Sequence, residues 1–215
     1  SVAELTVGLM IELMRHISYA NQRYHQGINH LYDDIFTGSE INGKTIGLIG
    51  YGHIAKKVEK ILTAFGADVL VTNRSPSEIH YGCQVTLTEL LTNSDIISLH
   101  VPLTDETSLL IGNHELQLMQ NKALLINTAR GGLVDEQALS HALKVHQISG
   151  AAIDTLTDEP ILPTNRLLGF DNVIVTPHIG SQTTDTIAKT AMMVANQVCA
   201  YLNHNEIYSG VNQVK

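Results

Sequence analysis

The chain is predicted to fold as a doubly wound parallel α/β sheet with helices on both faces, and three observations carry that prediction. Apolar runs of four or five residues recur along it and alternate with segments in helical spacing, the pattern of strands buried on both faces. The stretch Ile46-Gly47-Leu48-Ile49-Gly50-Tyr51-Gly52-His53-Ile54-Ala55 reads as one such strand passing through a tight glycine turn into a helix. The connections are short, which leaves right-handed crossovers as the way to join parallel neighbours.

Taken in order, residues 2–17 place Leu5, Leu9 and Leu13 four apart, with Val2, Met10, Met14 and Ile17 on adjoining turns. That is a helix with an apolar stripe wide enough for both a core face and a partner surface. From Tyr19 to Lys44 the periodicity fails, so a long polar connection with room for one short turn of helix is expected, closed by an Asn42-Gly43 turn. After the glycine turn, Val58, Ile61, Leu62 and Phe65 keep helical spacing and Gly66 suits a C-cap. A second strand follows at 68–72. Thr86 and Glu89 form a capping box opening a short helix to Leu91. A third strand over 95–99, a helix over 113–119, a strand over 123–127, a helix capped by Asp135 and reaching Val145, and strands over 148–153 and 173–175 complete the alternation. A last helix begins near Thr183 and lines up Ala188, Ala191, Met192, Ala195, Val198, Cys199 and Leu202, a face that must dock on something. Residues 206–215 carry little to anchor them and are expected to fray.

Composition narrows the function classes. With 215 residues, 44% of them hydrophobic, the chain can bury a large core. No apolar run nears the roughly 20 residues of a membrane span, and the start lacks the features of a signal peptide. A non-membrane, cytoplasmic protein is expected. A net charge of −8 argues against nucleic acid or an acidic membrane as partner, because both demand clustered Lys and Arg. The eleven histidines are scattered singly, so no metal site is expected. Cys83 and Cys199 lie too far apart in sequence for a C-x-x-C pair and are expected to be ordinary buried thiols.

In the glycine turn, Gly50 permits the sharp bend, Gly52 lets backbone approach a pyrophosphate, and Ala55 allows close packing of helix on strand. The phosphates would rest on the helix N-terminus, where unpaired N–H groups make an anion site. Such turns also join strands to helices for steric reasons alone, so a nucleotide site needs support from the rest of the chain. Downstream stand Ser98-Leu99-His100-Val101-Pro102-Leu103-Thr104, Asn127-Thr128-Ala129-Arg130-Gly131-Gly132-Leu133-Val134-Asp135, Gly150-Ala151-Ala152-Ile153-Asp154 leading to Asp158-Glu159-Pro160, and Thr176-Pro177-His178-Ile179-Gly180. In this order the segments resemble the D-isomer-specific 2-hydroxyacid dehydrogenases, over nearly all of residues 1–205.

The resemblance implies hydride transfer between NAD(P)H and a small 2-oxo or D-2-hydroxy acid, with Arg130, Glu159 and His178 as the catalytic residues. The chemistry is sound: Arg130 offers a planar fork of donors for a carboxylate. His178 can give a proton to the developing alkoxide, and Glu159 would orient it, a carboxylate beside an imidazolium favouring the protonated ring. Each follows a predicted strand, so all can meet at the carboxyl edge of the sheet, where ligands of open α/β sheets bind. The same resemblance implies a cofactor site made from Gly50, Gly52, His53 and Ile54 at the turn, and from Asn73, Arg74 and Ser75 after the second strand. His100, Val101, Pro102 and Thr107 follow the third strand, and Thr128 and Ala129 the fourth. Asp154, His178 and Gly180 follow the last two, with Asp154 reaching the nicotinamide region.

Cofactor choice turns on Asn73 and Arg74. NAD enzymes of this type place a carboxylate at the end of the second strand for the ribose 2′-hydroxyl. A carboxylate there would repel a 2′-phosphate charge by about 4 kcal/mol at ~4 Å and an effective dielectric of about 20. Asn73 removes that barrier and Arg74 adds a cation, so NADP is favoured over NAD. Residues 1–182 are expected to form the cofactor domain, its first helix serving a homodimer, and residues 183–215 to return to a second, substrate-closing domain whose remainder would precede Ser1. Two other functions fit the same fold: an NAD(H)-sensing corepressor-type module, and a catalytically silent dimerisation piece. Ala55 in place of a third glycine and Thr155-Leu156-Thr157 after the Asp154 strand depart from the family pattern and blur the substrate assignment.

Overall fold

The computed structural model describes residues 1–28 and 36–204. Two helices come first, α1 (Val2–Arg15) and α2 (Ile17–His25). The alternating series then runs β1 (Thr45–Ile49), α3 (His53–Ala64), β2 (Asp68–Thr72), β3 (Cys83–Gln84), α4 (Leu87–Asn93), β4 (Ile96–Leu99), α5 (Asn113–Leu118), β5 (Leu124–Asn127), α6 (Glu136–Lys144), β6 (Gly150–Ile153) and β7 (Val173–Val175), and α7 (Thr184–His204) closes it. Among the described residues the strands form one seven-stranded parallel sheet in the order β3-β2-β1-β4-β5-β6-β7.

Period-two side-chain alternation splits the core into two layers. Ile46 and Leu48 of β1, Ile126 of β5 and Ala152 of β6 face a layer that includes Met10 of α1 and Val58 and Leu62 of α3. Ile49, Ile97, Leu125, Ala151 and Ile153 face the other way, onto Leu90, Leu116, Leu139 and Leu143 of α4, α5 and α6. Met10, Leu62 and Leu90 are fully buried, and truncating such a side chain to alanine costs about 2–5 kcal/mol.

What matters for function is the register. Thr72 pairs with Ile49, Ile49 with Leu99, Leu99 with Asn127, Asn127 with Ile153, and Ile153 with Val175. Six strands therefore end in one row. The residues that leave that row, Asn73, Gly50, His100, Thr128, Asp154 and Thr176, are brought side by side by backbone pairing alone. The strand order reverses between β1 and β4, which opens a crevice there.

Several elements differ from the sequence expectation. The first helix stops at Arg15 because His16 takes a left-handed conformation (φ 54°), and a separate helix α2 fills what the sequence pattern predicts as irregular chain. None of α2's residues is buried, so it has no apolar stripe to betray it. The wide stripe of α1 is spent inside the chain: Met10 is 0% and Met14 4% exposed. Cys83 and Cys199, expected to be buried, are both exposed, one on the edge strand β3 and the other on α7. β3 itself, two residues long, has no counterpart among the predicted strands. The tail 206–215 and part of the connection between α2 and β1 lie outside the described residues. No residue of α7 from Thr184 to Asn203 is buried. Among the described residues no helix is long and apolar enough to cross a membrane.

Candidate functional site

A cleft of about 810 Å³ lies at the carboxyl edge of the sheet, lined among others by Ile54, His100, Val101, Pro102, Thr128, Ala129, Arg130, Asp154, His178 and Gly180. All ten are predicted cofactor or catalytic residues. Leu103, within the segment 98–104 that carries the resemblance, also lines it, as do Val2 of α1 and Ser181, which no sequence signal marks for that role. A smaller hollow of about 550 Å³ sits at the opposite edge against α1, α2 and β7, and none of these groups reaches it.

The glycine turn lies next to the cleft at the end of β1 and reaches its lining through Ile54. Gly50 has φ 95°, and a β-carbon on it would come within 2.6 Å of the His100 carbonyl oxygen and 2.7 Å of Val101, so only glycine fits there. Gly52 differs: its φ is −87°, and a β-carbon on it would meet nothing within 4 Å. Its smallness answers to no atom of the chain. Gly52 is also the N-cap of α3, where no side chain caps the helix and the first turn holds no acidic residue. By contrast α6, which follows β5, is capped by Asp135, whose carboxylate accepts from the Gln137 and Ala138 N–H groups. The uncapped N–H groups of α3 and the open space beside Gly52 are what a bound diphosphate needs.

On the other side of the cleft, Asp154 organises the wall. It is 1% exposed. Its Oδ1 accepts from the Thr176 hydroxyl at 2.6 Å and the Ile179 N–H at 2.9 Å, and its Oδ2 accepts from the Gly180 N–H at 2.9 Å. Its backbone carbonyl also accepts from the His178 N–H. The carboxylate thus fastens the β7 turn to β6. His178 sits in that turn with φ 54°, a conformation costing a non-glycine residue about 1–2 kcal/mol. These bonds hold it there. Its Nδ1 lies 2.9 Å from Glu159 Oε2, while Glu159 Oε1 accepts from the Leu156 N–H. Glu159's carboxyl is held below its ordinary range, chiefly by the hydrogen bond with His178 and then by the Leu156 N–H, with the charges of His178 and Arg130 adding.

Arg130 is presented by a turn that Asn127 ties at both ends: its amide donates to the Arg130 carbonyl at 2.8 Å and accepts from the Ala129 N–H at 3.0 Å. Arg130 Nη1 donates to the Ala129 carbonyl at 2.7 Å. Behind this turn, Thr128 and Thr6 share a buried hydroxyl contact of 2.8 Å, which links α1 to the cleft wall. His100 has its Nε2 3.0 Å from Ser98 Oγ, and burial pushes its pKa down to about 4, so the ring is neutral near pH 7.

The remaining predicted residues stand apart from the cleft. His53 is exposed at the start of α3. Thr107 donates to the Pro102 carbonyl at 2.7 Å and accepts from the Thr104 N–H, so its hydroxyl is used to hold its own loop. Asn73 donates to Ser77 Oγ at 2.7 Å and to the Ser75 carbonyl, which folds the loop after β2 on itself. Arg74 reaches across to Glu106 at 3.0 Å, a partner 32 residues away that no local pattern singles out.

An all-parallel doubly wound sheet, a ligand-ready glycine turn at its switch point and a polar wall facing it define a dinucleotide-binding domain of the dehydrogenase type. The family model described as "D-isomer specific 2-hydroxyacid dehydrogenase, NAD binding domain" matches residues 7–180, and the chain belongs to that family. It is 43% identical over 168 residues to a glyoxylate reductase of Aeropyrum pernix, an alignment covering 76% of this chain and 50% of that protein. A D-lactate dehydrogenase of Lactobacillus jensenii, solved with NAD+, superposes with a TM-score of 0.89 at 34% identity, covering 99% of this chain and 68% of the other. An acyclic imino acid reductase solved with NADPH and D-Arg gives a TM-score of 0.87 at 38% identity, over 94% and 64% of the two chains. The chain spans about half the length of the curated relatives it matches.

Proposed function

We propose that the enzyme carrying this chain transfers a hydride between NAD(P)H and a small 2-oxo acid, with Arg130, Glu159 and His178 as its catalytic group. The observation behind this reading is the 2.9 Å contact between His178 Nδ1 and Glu159 beside a cleft lined by Arg130 and Asp154. Because Glu159 engages Nδ1, the ring's Nε2 is left to give its proton to the substrate's carbonyl oxygen and to take it back in the oxidative direction. Arg130 would grip the substrate carboxylate and polarise the adjacent carbonyl. A bound nicotinamide supplies the hydride to the carbonyl carbon. The names of the relatives, glyoxylate reductases and D-lactate dehydrogenases among them, favour this over a nucleotide-sensing module. Steady-state assay with glyoxylate, hydroxypyruvate and pyruvate tests it. Activity surviving in both His178→Ala and Arg130→Ala would overturn it.

NADPH is proposed to bind at least as tightly as NADH. Asn73, not a carboxylate, directly follows β2, and the Arg74–Glu106 pair, 85% and 73% exposed, is worth only about 0–1 kcal/mol, so a 2′-phosphate can displace Glu106. Titration with the two cofactors decides the point. The exposed face of α7, with Ile187, Met192, Val198 and Leu202, is proposed to dock on the second domain. Pairing into a homodimer is proposed to use α2, whose Ile17 and Tyr24 are exposed, because Met10 and Met14 are not free for it. Sedimentation of Ile17→Glu checks this: an undisturbed dimer would rule α2 out.

A further inference from the structure

Glu59 lies on α3, facing the sheet, and is 0% exposed. It has no cationic partner within hydrogen-bond reach among the described residues; neutral donors surround it. Its Oε1 accepts from the Tyr81 N–H at 3.0 Å and the Gly82 N–H at 2.9 Å, and its Oε2 accepts from the Tyr51 hydroxyl at 2.5 Å. That hydroxyl in turn accepts from the His80 N–H at 3.1 Å. Tyr51 is the residue between the two glycines of the turn, and residues 80–82 are the far end of the loop that begins at Asn73. A buried carboxylate is costly unless its lone pairs are filled, and here three backbone and phenol donors fill them.

We propose that Glu59 is a positioning residue for the cofactor: through Tyr51 and residues 80–82 it fixes the loop 73–82 in register with the glycine turn. The inference rests on the proposed dinucleotide function, in which the cofactor's adenosine half lies against this loop. The loop's near end is held separately. Asn73 bonds Ser77, the Ser77 N–H donates to Gln84 Oε1, and the Gln84 amide donates to the Asn73 carbonyl. Its far end runs into β3, which pairs with β2 at Cys83 and Gln84, and Ile79 packs on the core, while Glu59 supplies the acceptors for the N–H groups of Tyr81 and Gly82. At Gly82 a β-carbon would run into the Val69 carbonyl oxygen, so the chain there lies flat against β2 and Glu59 reaches its N–H groups from the α3 side. The phenol of Tyr51 is held above its ordinary pKa by burial first and by the bond to Glu59 next, which keeps it a donor at every pH the protein would meet. Glu59 therefore joins the segment that cradles phosphate to the segment that chooses between NAD and NADP, without touching either ligand group.

The test is NADH titration of the 215-residue chain, at a temperature where circular dichroism shows each variant folded, together with amide hydrogen exchange. Glu59→Ala is expected to weaken NADH about tenfold and to speed exchange at residues 80–82, with β5 and β6 unchanged. Glu59→Gln, which keeps one oxygen for Tyr81 and Gly82, is expected to fall between it and the parent, and so is Tyr51→Phe. If Glu59→Ala does not fold, those two variants decide the matter. Unchanged NADH affinity beside faster loop exchange would overturn the proposal, and so would a loss of protection spread over the whole sheet. Failure of the parent chain to bind NADH would instead strike the dinucleotide function on which the proposal stands.

Discussion

The two halves of the sheet's carboxyl edge are built differently. On the β5–β7 side, buried groups determine the position of each chemical group: Asp154 spends both oxygens on the turn that carries His178, and Asn127 spends its amide on the turn that carries Arg130. On the β1–β3 side, the groups that would read the adenosine are Arg74, exposed, and Asn73, half-buried. Arg74 is held by one surface ion pair, and Asn73 by neighbours a few residues away. Proton transfer needs atoms placed to within fractions of an ångström, whereas discrimination between two cofactors needs only a favourable charge near a phosphate. The half whose reacting side chains are placed by buried groups suits reaction, and the half where Glu59 fixes the loop backbone but the side chains of Arg74 and Asn73 keep exposed or local partners suits choice.

The largest effects should come from the β5–β7 half. In the complete enzyme, His178→Ala or Arg130→Ala is expected to lower kcat by orders of magnitude with little change in NADH affinity. A matching loss of cofactor affinity would erase the contrast between the halves. The 215-residue chain by itself is expected to bind cofactor yet to turn over 2-oxo acids negligibly, since positioning by the second domain proposed above would contribute about 7–11 kcal/mol in favourable cases. Comparable rates with and without flanking sequence would overturn that.

Asp154→Asn is expected next in size. It presents an amide to the Gly180 N–H, or to the Ile179 N–H and Thr176 hydroxyl, and should destabilise the fold by about 2–4 kcal/mol, read as a lower denaturation midpoint. A neutral result would show that the wall is held by something other than this carboxylate. On the β1–β3 half, Arg74→Ala should weaken NADPH about tenfold and leave NADH nearly unmoved, and Glu106→Gln should strengthen NADPH slightly. If neither changes the ratio, Arg74 has no part in the choice.

The smallest predicted effect is a change with pH. Glu159's carboxyl ionises below its ordinary value because of His178, so the pair's contribution is fully present above the ordinary carboxylate range and is lost as pH falls through the lowered folded value. Glu159→Gln removes that ionisation. The acid limb that Glu159 contributes to the stability and activity profiles should therefore flatten, so that variant and parent converge at the lowest pH. An unmoved limb would argue against the pairing in solution.

The contrast between the halves also explains how much of the molecule is legible in its sequence. Strands β1, β4, β5 and β6 are buried on both faces and β2 on one, all announce themselves as apolar runs, and the register brings the residues just past their ends side by side. That the chain after β5, β6 and β7 meets at one edge is legible for that reason, whereas the roles proposed for Arg130, Glu159 and His178 are legible only through the family resemblance. Interactions between side chains distant in sequence are not legible. Nothing in the helical pattern of α3 distinguishes Glu59, wholly buried, from the exposed Lys60 beside it, because the donors that satisfy Glu59 come from a loop about twenty residues on. Glu106 escapes notice for the same reason. α2 is invisible to periodicity because none of its residues is buried, and β3 because two residues cannot show a period.

Gly52 has one more consequence. Its backbone lies where any L-residue is comfortable, and no neighbour occupies the place of a side chain. By the needs of folding alone, alanine would serve better at that position by about 0.4–1 kcal/mol, because glycine widens the unfolded ensemble. On the proposed function, the chain keeps a residue that makes it slightly less durable, in the service of a molecule that is not part of it. A screen for heat resistance would favour replacing Gly52, and the winners would be sturdy proteins with the cofactor shut out.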